Sequence, residues 1–225
     1  MSIVIIGGHT RSVGKTSVVA GLIAALRDLH WTALKITQYG HGVCSANGEA
    51  CDCATADHSW AVTEERDRSG ESDTSRFLVA GADHSWWVRT QQGHLAEAMP
   101  RIRQILAGAE NAIIESNSIL RFLKPDLYLT VLDPATADFK SSAQTFLDRA
   151  DAVLLHVNAN PPSDADMAAA TPAWKQVSLK PVSKRPVFPI HPPEYVTPKV
   201  VEFVRSRLGQ TPNRCHPERS NKFTK

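Results

Sequence analysis

With 225 residues against roughly 150 for a typical domain, the chain reads as one decorated domain, and its 42% hydrophobic and 21% charged residues exclude disordered, collagen-like and disulfide-stapled classes. Twenty-five Lys and Arg against 23 Asp and Glu leave a formal charge of +2, too balanced for an electrostatic hold on nucleic acid or an anionic membrane. No apolar stretch approaches the roughly 20 residues of a membrane span and the start lacks a basic region, so a cytoplasmic chain is expected, its four cysteines thiols or ligands.

Strand and helix patterns alternate along the chain. Ser2 to Ile6 is a β-branched run suited to a strand covered on both faces, and Val18, Val19, Leu22, Ile23, Leu26 and Leu29 follow at helical spacing. Later strands are expected at Ala33–Thr37, Trp86–Arg89, Ala112–Ile114, Leu127–Leu132, Val153–Val157 and Val187–Ile190. Helices are expected at Ser72–Ala80, Leu95–Leu106 with a kink at Pro100, Ser141–Ala150 and Lys199–Leu208. This alternation implies an α/β, three-layer fold with a mostly parallel sheet and helices on both faces, spanning residues 1–209. Tyr39 to Gly70 is polar, bears cysteines and is too long for an ordinary connection, so it reads as an insertion. The polar tail from Gln210 to Lys225 is expected to be disordered.

Between the first strand and its helix lies Gly7-Gly8-His9-Thr10-Arg11-Ser12-Val13-Gly14-Lys15-Thr16-Ser17. Gly14 lets backbone N–H groups close on phosphate oxygens, Lys15 carries a mobile charge to the β and γ phosphates, and the Thr16 hydroxyl is placed to ligate Mg²⁺. Residues Gly8 to Ser17 are therefore candidates for binding ATP or GTP. His9 stands where the usual pattern has glycine.

Gly8 to Thr16 resembles the loop of dethiobiotin synthetase, in the signal-recognition and MinD-like branch of P-loop NTPases, and Lys35-Ile36-Thr37-Gln38-Tyr39-Gly40 is similar to that enzyme's Lys-Pro-x-x-x-Gly segment. The molybdopterin-guanine dinucleotide biosynthesis protein B family (MobB) offers a longer likeness. Its second strand also ends in a lysine, and its Gly-x-Asp-Ser-x-Arg leading to Ala-Gly-Ala resembles Gly70-Glu71-Ser72-Asp73-Thr74-Ser75-Arg76 leading to Ala80-Gly81-Ala82, with one more residue after the glycine. The MobB resemblance implies a slow, Mg²⁺-dependent NTPase that assists molybdenum-cofactor or related metallocofactor assembly, with a cofactor-biosynthesis protein as partner. The other implies phosphate transfer from ATP to a small anionic substrate.

Glu115 ends the strand Ala112-Ile113-Ile114 beside the loop, where an acid can hold Mg²⁺; both families carry Glu-Gly there, whereas this chain has Glu115-Ser116. Asp73, at a helix start, is either a second acid of the site or an N-cap. Lys35 is either a surface lysine or a charge over the transferring phosphoryl group. Asp133 before Pro134 reads equally as a turn start. Asn158 resembles the late-strand asparagine that contacts the purine in this NTPase class, and the Asn-Lys-x-Asp that fixes guanine is absent; it is also a natural turn former before Pro161.

Cys44, Cys51 and Cys53, flanked by His41 and His58, would suit Zn²⁺ or, shared across a homodimer, an iron–sulfur cluster; free thiols in a loop are the other reading. Such a loop would make the chain a metallochaperone. Trp86 and Trp87 fall in an expected strand and read as core.

Overall fold

The computed structural model describes residues 1–39, 59–136, 138–157 and 182–209. The first strand, β1 (Ser2–Gly8), leads into α1 (Lys15–Ala25), and β2 (Trp31–Tyr39) returns beside it. Then follow β3 (Trp60–Glu64), α2 (Asp73–Ala80), β4 (His84–Gln91), α3 (Leu95–Ala107) and β5 (Asn111–Glu115). The chain continues through β6 (Leu127–Leu132), α4 (Ser141–Phe146), β7 (Ala152–His156), β8 (Val187–Ile190) and α5 (Pro198–Gly209). The strands form one sheet in the order β3-β4-β2-β5-β1-β6-β7-β8, parallel throughout except where β3 runs against β4.

Because side chains alternate along a strand, the β1 run loads both faces of the sheet. Val4 and Ile6 join Leu22, Ile23, Trp31 and Val204 under α1 and α5, while Ile5 joins Leu34, Met99, Ile102 and Tyr128 under α3. Full burial of one such side chain contributes about 1.5–3 kcal/mol. With hydrophobic layers on both sides, the carboxyl edge is where polar residues collect, and there the loop after β1 sits.

Several elements differ from the sequence reading. Part of Tyr39–Gly70, expected as an insertion, is the edge strand β3, whose residues stay half-exposed and pair Val62 with Val88. The α-helix expected to reach Ala150 ends at Phe146 and tightens into a 3₁₀ turn at Leu147–Arg149. Helix α3 runs through Pro100, in keeping with its expected span. Strand β2 begins earlier than expected because Trp31 is fully buried and its indole N–H donates to the Leu26 carbonyl at 2.8 Å. Trp86 packs against the core as expected, whereas half-buried Trp87 donates to the Thr37 hydroxyl at 2.7 Å. No helix among the described residues is long and apolar enough to cross a membrane.

Candidate functional site

The loop after β1 is shaped by its backbone. Gly14 has φ +89°, a left-handed conformation that admits glycine without strain, and it caps α1 with no side-chain hydrogen bond. The first-turn N–H groups of α1 thus face the loop with no side-chain acceptor on the cap and no acid in the turn. A Cβ at Gly14 would lie 2.1 Å from the Tyr195 ring. Tyr195 in turn meets the His156 ring edge-on at 5.7 Å, and His156 Nε2–H donates to the Val13 carbonyl at 2.9 Å. The late strands therefore brace the loop.

A second brace comes from Asn117, just past β5. Its Oδ1 accepts the Gly8 N–H at 3.0 Å and its Nδ2 donates to the Gly8 carbonyl at 2.8 Å. A Cβ at Gly7 would fall 2.2 Å from that Oδ1, so glycine there lets the strand end approach Asn117. Ser116 N–H continues the ladder to the Ile6 carbonyl at 3.1 Å, giving the residue after Glu115 a structural task. None of Asn117, His156 and Tyr195 belongs to a motif legible in the sequence.

Strand register brings the charged residues together. Lys35 on β2 pairs directly with Glu115 on β5, and Glu115 pairs on its other side with Ile6 of β1. Thr16 Oγ1 donates to Glu115 Oε2 at 2.8 Å. The Lys35 ammonium lies 3.2 and 3.3 Å from the two Glu115 oxygens and 3.3 Å from Thr16 Oγ1, and it also donates to Asp73 Oδ2. Burial opposes the Lys35 charge, but Glu115 and Asp73 outweigh it and hold its pKa above the ordinary lysine value. Asp73 is free for this contact because Ser72 caps α2, its Oγ accepting the Ser75 N–H at 3.0 Å. Arg76 donates to Ser17 Oγ at 3.1 Å and lies 3.7 Å from Asp73.

Lys15 is turned back on its own loop, donating to the Thr10 carbonyl at 2.6 Å. Burial pushes its pKa down to about 8. Thr10 also donates to Asp138, before α4, at 2.5 Å. The loop residues Thr10, Arg11, Ser12, Thr16 and Ser17 line a cavity of about 760 Å³ together with Lys15, and Lys35, Asp73 and Glu115 line it from the adjoining strands.

Two loop residues turn their side chains into the interior. His9 and Val13 do not line the cavity: Val13 is buried in the core under α1, and His9, fully buried, stacks on Phe139 at 5.3 Å. Burial holds His9 below the usual histidine pKa. Asp133 closes its own turn, accepting from Ala135 N–H and the Thr136 hydroxyl, each at 2.9 Å. His41, Cys44, Cys51, Cys53, His58, Asn158 and the tail from Gln210 lie outside the described residues.

A glycine-shaped loop between β1 and α1, a Lys–Thr helix start and an acid on the adjacent strand are together the marks of a P-loop NTPase-like fold. No family model and no curated protein matches the chain. Among solved structures it is similar to HypB from Helicobacter pylori in complex with nickel, at 14% identity over 91% of this chain and 84% of that one, with a TM-score of 0.45. It is also similar to LpxK from Aquifex aeolicus in complex with ATP, at 17% identity over 84% of this chain and 53% of LpxK, with a TM-score of 0.44. The chain thus spans about half of LpxK.

Proposed function

We propose that the protein binds a nucleoside triphosphate with Mg²⁺ and cleaves its γ-phosphate, acting as a MobB-like accessory NTPase in metallocofactor assembly. The observation that carries this reading is the convergence of Thr16, Glu115, Asp73 and Lys35 on one point beside the P-loop lysine. Mg²⁺ is usually held by one or two carboxylates plus substrate phosphates. The donor set fits: Thr16 and Glu115 offer oxygens, Asp73 is the nearby second acid, and no group of three or more His, Cys, Asp or Glu among the described residues would cage a metal alone. When bound, the ion would neutralise charge on the β and γ oxygens.

The remaining chemistry belongs to the chain's own side chains. Gly14 and the start of α1 orient the phosphates, Lys15 leaves the Thr10 carbonyl for the β and γ oxygens, and Lys35 stabilises charge on the departing phosphoryl group. The segment Gly70–Ala82, on which the MobB likeness rests, delivers Asp73 to Lys35, which favours that reading. A phosphotransferase is the second reading, favoured by a cavity that runs past the loop to Thr37, Gln38 and Gln92 and so has room for an acceptor.

Titration calorimetry with ATP and GTP, with and without Mg²⁺, together with phosphate release in the absence of acceptor, tests the proposal. The expected result is Mg²⁺-dependent triphosphate binding with slow release of phosphate. Failure to bind either triphosphate overturns the reading; formation of the nucleoside diphosphate only when a small anionic acceptor is supplied, with the phosphoryl group carried to that acceptor, replaces it with the second.

A further inference from the structure

Lys140 lies between β6 and α4 and enters none of the chemistry above. Its backbone is fixed, since its N–H donates to the His9 carbonyl at 2.8 Å and its own carbonyl accepts from Ala143 at 2.9 Å. The neighbouring Asp138 holds Thr10, and Phe139 stacks on His9, so this connection is fastened to the phosphate loop at three successive residues. The Lys140 side chain lines the same cavity as Lys15 and Lys35. Among the described residues its ammonium makes no hydrogen bond or ion pair.

The three lysines are unequally compensated. Lys35 is paired with both Asp73 and Glu115. Lys15 has only a neutral carbonyl, and Lys140 has no contact of either kind among the described residues. Burial and the Arg11 charge hold Lys140 below the usual lysine pKa, and Lys140 is among the charges that hold Lys15 down. Ammonium groups so placed repel one another and are partly stripped of water, and a polyanion between them relieves both penalties. The strand order gives the direction of approach: β2, β5, β1 and β6 are consecutive, so β2, which bears Lys35, and β6, whose connection to α4 bears Lys140, are about 14 Å apart with the phosphate loop between them.

Resting on the nucleotide-binding reading, we propose that Lys140 contacts the γ-phosphate of the bound triphosphate and gives the site its preference for triphosphate over diphosphate. Lys15 from the loop, Lys35 from β2 and Lys140 from the β6–α4 connection then approach the terminal phosphate from three sides. A diphosphate engages the loop and Lys15 but leaves Lys140 without its partner.

Titration calorimetry with Mg²⁺ on the full chain tests this, using non-hydrolysable analogues of ATP and GTP as triphosphates and ADP and GDP as diphosphates, for wild type, Lys140→Gln and Lys140→Arg. A charge-assisted hydrogen bond lost from the complex should weaken triphosphate binding by about ten- to a hundredfold in Lys140→Gln. Diphosphate affinity should stay within about twofold. Lys140→Arg, which keeps the charge, should retain the triphosphate preference. Equal loss for both nucleotides would assign Lys140 to bracing the loop and overturn the proposal, as would an unchanged triphosphate affinity or an arginine variant as defective as the glutamine one. Wild-type protein that binds neither triphosphate refutes the parent reading and this one with it, whereas wild-type binding with an unaltered Lys140→Gln preference refutes only this one.

Discussion

Lys15→Met keeps the length of the side chain and removes its charge, and it should stabilise the ligand-free fold at pH 7 while abolishing triphosphate binding. Burial holds the Lys15 pKa near 8, about 2.5 below the ordinary 10.5. At about 1.36 kcal/mol per pKa unit, the charged form is disfavoured in the folded state by at most about 3.4 kcal/mol. Water entering the cavity screens part of that, so a gain of about 1–3 kcal/mol is expected. The sign follows from proton binding. Between pH 8 and 10.5 the unfolded chain holds the lysine proton that the folded chain has released, so wild-type stability should rise with pH across that window. Above about pH 10 the buried Tyr128, its pKa pushed up to about 12 by burial, reverses the trend, because an unfolded tyrosine ionises near 10. Urea denaturation of both proteins at half-unit steps from pH 7 to 10 is the assay. The stability difference should be largest at pH 7 and shrink towards pH 10. A methionine variant less stable than wild type at pH 7, or a difference independent of pH, would refute the claim that the loop holds a dehydrated ammonium.

Glu115→Gln keeps the shape of a buried carboxylate and removes its charge; it should raise the half-saturating Mg²⁺ concentration for phosphate release about tenfold or more, with a smaller effect on nucleotide affinity. Magnesium titration of turnover reads this directly, and an unchanged Mg²⁺ dependence removes Glu115 from the site. Gly14→Ala meets both a left-handed φ, at about 1–2 kcal/mol, and the Tyr195 ring, so triphosphate binding should be lost; adding Tyr195→Ala relieves the clash alone and should restore binding only in part. Asn117→Ala leaves both polar groups of Gly8 without that partner and should lower stability by about 1–3 kcal/mol in chemical denaturation, with Asn117→Asp intermediate because it keeps the acceptor.

Legibility in the sequence followed the range of the contacts. The phosphate loop was readable because strand, glycine, Lys–Thr and helix are contiguous. Glu115 was readable because it ends a strand beside the loop; Lys35 lies in the middle of β2, and parallel register makes the two neighbours. Asp73 was readable only as an alternative, since any acid at a helix start can cap it; in the structure Ser72 is the cap and Asp73 contacts Lys35. Asn117 and His156 escaped notice because their contacts with the loop span 109 and 143 residues, and no local pattern marks an asparagine or histidine for such a partner. Strand β3 escaped because an edge strand half-open to solvent lacks the strong apolar pattern of the central ones. The place of the His9 side chain was not legible, because the Phe139 ring and the Val131 carbonyl that draw it into the interior lie more than a hundred residues away.

The fold separates what holds the protein together from what makes the site react. The apolar layers on both faces of the sheet involve none of the cavity lysines, so removing a charge at the edge leaves that packing intact. Within the cavity, five cations (Arg11, Lys15, Lys35, Arg76 and Lys140) face three acids (Asp73, Glu115 and Asp138). Two of those acids are turned to Lys35, and the third accepts from Thr10. The ammonium groups of Lys15 and Lys140, neither of them in a salt bridge among the described residues, therefore place positive charge at the phosphate loop and the β6–α4 connection, where it opposes folding in the absence of ligand and favours binding of a polyanion. Ligand binding to the folded state alone adds stability by mass action, about 2.7 kcal/mol at a hundredfold excess over Kd. Charge unfavourable to the empty fold is consequently the source of affinity for the nucleotide, and the same substitutions that stabilise the empty protein should weaken the complex.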